Sequence, residues 1–462
     1  MQEEIKENEA KTTENSSLPP SKEEKKRKKM SKETRNKIVT GVIALATAVT
    51  TFFVGMGVSP LFMDEEMRAL MMIKNQIQRE YYYGVTDEQF YDTIFDAINN
   101  DLLDPYSAYM TREEYSLNLS QADGNRVGSG IVSDVWERTD GTQEIYVRFV
   151  RGNSPAERAG LERGDRVLAI GEAEDNLVAL TKYDELKDFL GTQYPGDVFY
   201  VQYERGGVTD VIPLSTASFV ENYVYYRTGD ASYEFTGDTA TTWTETSSPI
   251  MGLPADTAYI RLAKFNGGAA GQFGVAMSTF KEQGKKNLVL DLRDNGGGYM
   301  DILCEIASYF CKDGQGNNPT VAVARYKDGS QEYFNASRNV FYDYFSTDSK
   351  IYVLADDGTA SASECLIGAM VDYGALSTQN ICLTERNGVA KTYGKGIMQT
   401  TFTFGFGYVD AIRLTTAQIH WPKSGTCIHG VGLTPTNGCA VTPFDFSADG
   451  EVYGGLTSLG IL

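Results

Sequence analysis

Two turns in this chain put reactive residue types where a strand hands over to a helix. In IYVLADDGTASASECLIGAM (351–370) an apolar strand ends at Asp356-Asp357-Gly358 and a helix begins inside the Ser/Ala run. The hydroxyls of Ser361 and Ser363 therefore sit at or near a helix N-terminus, where serine ordinarily acts as a cap. A nucleophile gains from the same location, because the amide of the next residue, Ala362 for Ser361, can stabilise an oxyanion. In NLVLDLRDNGGGYMD (287–301) a second strand runs into Gly296, Gly297 and Gly298, whose amides can point into a cleft. No Lys-Ser/Thr follows those glycines, which argues against a phosphate loop.

A hydroxyl nucleophile needs a base. The two histidines, His420 and His429, both fall in HWPKSGTCIH and neither stands in a recognisable triad motif. Lys395 in GKGIMQ is the better candidate, with Gln399 four residues on. A lysine between glycines is ordinarily a solvated surface charge. To serve as a base its pKa has to fall from about 10.4 toward roughly 7–8, by burial away from water and anions. Gln399 can hold the amine by a hydrogen bond without adding a charge that would undo that shift.

The elements that must position these groups follow from periodicity. From Ala258 onward, strands AYIRLAKF, NLVLDLR, TVAVARY and KIYVLAD alternate with helical stretches GQFGVAMSTFKEQG, DILCEIASYFC and SECLIGAMVDYG. That alternation implies a sheet with parallel pairs, right-handed crossovers and a site at the strands' C-terminal ends. The polar stretch 229–256 reads as a loop or hairpin insertion. Upstream, residues 62–122 are helical, with Thr111 and Glu114 forming a capping-box signature. Between these regions SPAERAGLERGDRVLAIGE (154–172) resembles part of a PDZ domain. Gly128, Ser129 and Gly130 would then form the loop whose amides receive a terminal carboxylate, with the strand from Ile131 pairing to the peptide. Taken alone, GSG is only a turn.

A chain of 462 residues is long enough for two or three folded units. Its 42 Lys+Arg against 62 Asp+Glu leave a formal charge of −20, which argues against wrapping nucleic acid. Six cysteines without a CxxC pair or a neighbouring histidine at ligand spacing argue against a zinc site and read as structural thiols; no cofactor is implied. Residues 22–37 hold nine Lys/Arg and lead into an uncharged apolar run, 38–58, of 21 residues. That length matches a transmembrane helix, and the basic flank places 1–37 in the cytoplasm as a disordered tail, with everything after Pro60 outside the cell. A cleaved signal peptide, suggested by Ala44, Ala46 and Ala48, is the competing reading and also exports the rest.

Taken in order, DPYSAYMTREEY, SPAERAGLERGD, AYIRLAKF, LVLDLRDNGGG, GTASASE, TYGKGIMQ and IHGVGLTPT resemble the carboxyl-terminal processing peptidases, a family of PDZ-containing Ser-Lys serine endopeptidases, over about residues 62–440. The resemblance implies Ser361 as nucleophile, Lys395 as base and Gln399 as its support. Ala362 and either Gly297 or Gly298 become the oxyanion donors. It also implies an α/β and α+β multidomain fold: a transmembrane helix, a helical segment (62–122), a PDZ-like β domain (126–216), an α/β peptidase core with a mixed sheet (217–445) and a C-terminal tail (446–462). Protein C-termini become the substrates, and a homodimer through the N-terminal helices follows by analogy. This chain departs from the family in having Gly296 where Pro is usual, Leu190 where an Arg often precedes Gly191, and a longer connection from Ser361 to Lys395. Two other readings compete: a silent membrane-tethered PDZ adaptor on a peptidase scaffold, and a hydrolase using Cys365 or His429.

Overall fold

The computed structural model describes residues 64–462 apart from 138–139, 247, 386–388, 405–409 and 435–449, together with Lys37, Thr40, Gly41, 43–45 and Thr47, which are helical. The apolar run 38–58, read as a transmembrane helix, thus lies largely outside the described residues. Among the described residues no helix is long and apolar enough to cross a membrane.

The chain divides into two compact units, 1–94 and 95–462. In the first, helix Glu65–Glu80 is capped by Asp64, whose carboxylate accepts Met67 N–H at 2.8 Å. Lys74 pairs there with Asp87 (2.7 Å).

In the second unit, a seven-stranded mixed sheet forms the centre. Strands Thr257–Leu262, Asn287–Asp291, Ile351–Ala355 and Ile381–Leu383 are parallel neighbours. Three antiparallel strands extend the sheet: Val224–Arg227, then Ser232–Thr236 and Thr242–Thr246, which form a hairpin within 229–256. Alternate residues of these strands face opposite layers, as the two-residue repeat requires. Ile260, Leu262, Leu288, Leu290 and Val353 pack in one core with Phe273, Phe280, Phe310 and Leu366, from the region of helices Ala269–Glu282, Met300–Ala307 and Ala362–Asp372. Tyr259, Val289 and Leu354 face a second core with Val452 and Leu456.

Those last two residues belong to a helix, Gly450–Ser458, inside the segment read from sequence as a tail. Two consecutive glycines, Gly454 and Gly455, lower its helical propensity and hid it. Gly455 is there for packing, since a Cβ would lie 2.8 Å from Leu354 Cδ2.

A second, five-stranded sheet contains Ile397–Phe404 and Asp410–His420 as an antiparallel pair, with Ala108–Met110 added at Arg413–Ala411. A third, six-stranded antiparallel sheet (strands within 131–215) encloses its own core of Ile145, Val147, Ile170, Leu186, Phe199 and Leu214. Strand Ile131–Glu137 lies at its edge. The capping box at Thr111 is formed: Thr111 N–H donates to Glu114 Oε2 (2.8 Å) and Glu114 N–H to Thr111 Oγ1 (3.3 Å).

Candidate active site

Ser361 occupies the sharp turn between strand Ile351–Ala355 and helix Ala362–Asp372, with φ 57° and ψ −115°. A positive φ is uncommon in a residue with a Cβ and persists only when its surroundings enforce it. Here they do. Thr359 Oγ1 donates to Leu292 O (2.8 Å), Ala360 N–H to Asn295 O (3.0 Å), and Ser361 N–H to Glu364 Oε2 (2.9 Å). The Ser361 hydroxyl makes no cap hydrogen bond. Ser363, the alternative serine, is fully buried and donates its hydroxyl to Asn295 O at 2.8 Å.

The glycine turn lies directly against this one. Asn295 is fully buried; its side chain donates to Leu262 O (2.8 Å) and accepts Gly297 N–H (3.0 Å). A Cβ on Gly297, at φ +92°, would come within 2.8 Å of Ala360 O, Ala362 N and Ser361 Cβ, so only glycine allows the approach. Gly298 is held by a bridge to Phe265: Phe265 N–H donates to Gly297 O (3.1 Å) and Tyr299 N–H to Phe265 O (2.8 Å). Of the two glycines singled out from sequence, Gly297 therefore has its amide spent on Asn295. The amides of Gly298 and of Ala362, first residue of the helix, find no acceptor among the described residues.

Lys395 arrives from the second sheet, two residues before strand Ile397–Phe404. Its flanking glycines let the segment run against 428–432: a Cβ on Gly394 would lie 2.7 Å from Gly432 N, and one on Gly396 2.7 Å from His429 N. Glu364, fully buried, gathers the local donors. Its Oε1 accepts from Thr392 Oγ1 (2.5 Å) and Gly394 N–H (2.8 Å), and its Oε2 from Lys395 N–H (2.9 Å). Burial still holds the Glu364 carboxyl above its ordinary pKa despite these four donors.

Burial lowers the Lys395 pKa, and the cations Arg413 and Lys264 lower it further against the pull of Asp104. The Lys395 Nζ lies 4.7 Å from the ring centroid of Tyr106. Tyr106 in turn donates its hydroxyl to Tyr393 (3.0 Å), which with burial pushes the phenol up to about 12. Asp104 accepts Tyr106 N–H (2.8 Å), both the N–H and the hydroxyl of Ser107, and Thr415 Oγ1 (3.3 Å). Gln399 Nε2 donates to the same Thr415 Oγ1 at 3.1 Å.

Ser361, Lys395, Gln399 and Gly296–Gly298 line a single cavity of about 670 Å³. No hydrogen bond joins Ser361 Oγ to Lys395 Nζ among the described residues. His420 and His429 do not line it; His420 Nδ1 pairs with Gly425 O (2.9 Å). Cys365 does line it, but burial pushes its thiol far up, the opposite of what a thiolate nucleophile needs.

Gly128, Ser129, Gly130 and Ile131 line a separate cavity of about 260 Å³, with Arg126, Arg151 and Leu190. Gly130 has φ +90°, and a Cβ there would meet Ser154 Cβ at 2.1 Å. A clamp joins this domain to the glycine turn: Arg148 Nε and Arg163 Nη1 both bond the carboxylate of Asp294, and Arg163 Nη2 reaches Glu451 Oε2 (2.6 Å).

Sequence reasoning gave no role to Glu364, Asn295, Asp104, Tyr106 or Thr415. Glu364 carried one usable signal: a carboxylate inside the otherwise apolar stretch ASECLIGAM. The contacts that bring the others to the serine turn, Lys395 and Gln399 join segments distant in sequence, which no local pattern displays.

Residues 256–437 match the family model of Peptidase family S41, and residues 122–215 that of the PDZ domain. A probable CtpA-like serine protease of Staphylococcus saprophyticus is 28% identical over 405 residues, spanning 86% of this chain and 72% of that protein. A probable CtpA-like serine protease of Staphylococcus aureus (strain MRSA252) is 26% identical over 408 residues, spanning 86% and 69%. Among solved structures, the photosystem II D1 C-terminal processing protease is 22% identical, with a TM-score of 0.47 over 79% of this chain and 85% of that one. Residues 256–437 thus form a domain of peptidase family S41 with a PDZ domain, 122–215, ahead of it, and the chain is similar along 86% of its length to these serine proteases.

Proposed function

We propose that the protein is a membrane-anchored, extracytoplasmic serine endopeptidase that cuts proteins near their C-termini through an acyl-enzyme on Ser361. One observation carries the reading: the Ser361 and Lys395 amides share one oxygen of buried Glu364 at the wall of a common cavity. In this mechanism neutral Lys395 takes the Ser361 Oγ proton as the oxygen attacks the scissile carbonyl carbon. The Ala362 and Gly298 amides receive the oxyanion. The leaving amine departs with the proton from the Lys395 ammonium, and Lys395 then deprotonates the water that hydrolyses the ester. Gln399, its amide nitrogen fixed by Thr415, offers Oε1 to the lysine. Nζ, which rests over Tyr106, swings to Ser361 when substrate fills the cavity; catalytic hydrogen bonds are commonly long before substrate binds.

The PDZ loop Gly128–Gly130 captures the substrate's terminal carboxylate beside Arg151, and edge strand Ile131–Glu137 pairs with its backbone. Residues 38–58 span the membrane with 1–37 on the cytoplasmic side. A homodimer through the N-terminal helices remains part of this reading by analogy. The missing Oγ to Nζ hydrogen bond favours one rival, a silent PDZ adaptor.

The full chain in detergent micelles is incubated with an unfolded protein, alongside Ser361→Ala and Lys395→Ala. Cleavage by the native chain alone supports the dyad. Equal cleavage by all three sinks it, and no cleavage with retained binding of C-terminal peptides supports the adaptor.

A further inference from the structure

The catalytic cavity also contains a cation that carries no proton in the Ser-Lys chemistry, although it helps hold the Lys395 pKa down. Lys264 is part-buried on its wall, two residues beyond strand Thr257–Leu262. Its position is rigid, because the next residue, Phe265, is the one bridged to the glycine turn. No carboxylate lies within ion-pair distance of Lys264 among the described residues. The nearby acid, Glu221, is buried and already serves Arg126 (2.8 Å) and Arg151 (3.1 Å). One carboxylate thus serves two arginines and influences Lys264 only at longer range, and Arg126 lines the same cavity as Lys264. Asp301 also lines it but is exposed.

A part-buried ammonium whose nearby acid is already shared by two arginines loses hydration and regains only part of it. Burial, then Arg126 and Arg151, hold its pKa below the ordinary lysine value against the pull of Glu221. An arriving carboxylate would supply the missing partner.

We propose that Lys264 forms an anion subsite that reads a substrate carboxylate close to the scissile bond. This rests on the peptidase reading of the same cavity. The carboxylate has two chemical sources: an Asp or Glu side chain, or the substrate's own C-terminus when only a short stub is removed. Both present the same planar anion to the ammonium.

The experiment uses the full chain in detergent micelles and two peptide sets. In the first, a single Glu is moved along each side of the cleavage point of a C-terminally amidated peptide and compared with Gln at the same position. In the second, peptides end one to four residues beyond the cleavage point as free acid or amide. The native chain should favour one carboxylate placement in kcat/KM by roughly tenfold to a hundredfold, the range of a charge-assisted bond. Lys264→Met should collapse that acid-to-neutral ratio toward one, and Lys264→Arg should restore most of it. PDZ capture of a terminus is indifferent to Lys264, so only the Lys264-dependent part of the ratio counts. Whichever set shows the preference identifies the source. No preference at any placement, or an equal loss for acid and neutral peptides in Lys264→Met, overturns the subsite. Binding of the same peptides to Ser361→Ala, read by fluorescence anisotropy, separates the two claims. Discrimination there, without cleavage by the native chain, would leave the subsite standing and remove the Ser-Lys reading.

Discussion

The backbone N–H groups of Ser361 and Lys395 donate to the same atom, Glu364 Oε2, each at 2.9 Å. The two residues come from different sheets, so one buried side chain sets the spacing of the two turns. Whatever shifts the lysine segment shifts the serine turn with it.

Glu364→Gln should separate them. All four partners of the carboxylate are donors, and an amide would aim its NH2 at two of them. We expect a stability loss of about 2–4 kcal/mol in denaturant titration. The kcat for peptide cleavage should fall by about 100-fold or more, with KM changed much less.

The acid limb of the pH–rate profile should report Lys395. Activity rises with pH as the amine loses its proton. Arg413 helps hold the Lys395 pKa down and Asp104 opposes it. Arg413→Gln should therefore move the limb to higher pH, and Asp104→Asn to lower pH. Limbs that stay fixed, or move the other way, would remove Lys395 from the titration.

Adjacent glycines should behave oppositely. Gly297→Ala forces a Cβ within 2.8 Å of three atoms of the serine turn, at φ +92°. It should cost about 2–4 kcal/mol and nearly all activity. Gly296 has nothing within 4 Å of its Cβ position, so Gly296→Ala should stay within about 0.5 kcal/mol of the native chain.

Glu157 gives a pH signature to the contact between the PDZ and peptidase domains. Burial raises its pKa to about 7, with Glu234 adding to the shift; the amide of Asn153, the Tyr225 hydroxyl (2.8 Å) and Arg261 act against it. The folded chain keeps this proton over a range in which the unfolded chain has released it. Its contribution is complete below the ordinary glutamate range and disappears as pH rises through 7, a change of about 3 kcal/mol. Glu157→Gln should flatten that part of the stability curve between pH 5 and 8, measured as the difference from the native chain.

Asp294→Asn tests the arginine clamp. Asn tolerates the positive φ of 57° found at this position but cannot balance Arg148 and Arg163. The expected cost is about 3 kcal/mol. Limited proteolysis should then cut faster near 215–222, where the chain passes from one domain to the other.

Much of the architecture was legible because it rests on local rules. The alternation of apolar strands with helical stretches and the Thr111 capping box are short-range patterns, and the structure contains both. Helix Gly450–Ser458 was missed because its glycines argue against helix, while its reason to exist is a hydrophobic face on the far layer of the sheet. The glycine turn announced a close approach, yet which amide remained available depended on Asn295, whose side-chain geometry no spacing reveals. Glu364 stood out as a carboxylate in an apolar stretch, but its role did not. An acid three residues after a helix-starting serine reads as half of a capping box, and only the fold brings Thr392, Gly394 and Lys395 to it.

The cations of the cavity have a consequence for encounter kinetics. A chain with a formal charge of −20 repels an acidic segment at long range, whereas Lys264, Arg126 and Arg413 attract it only once it is inside. The two fields act at different distances on either side of the Debye length, about 8 Å at physiological salt. Moderate salt should screen the outer repulsion first. Acidic peptides should therefore associate faster as ionic strength rises from very low values, the reverse of ordinary electrostatic steering.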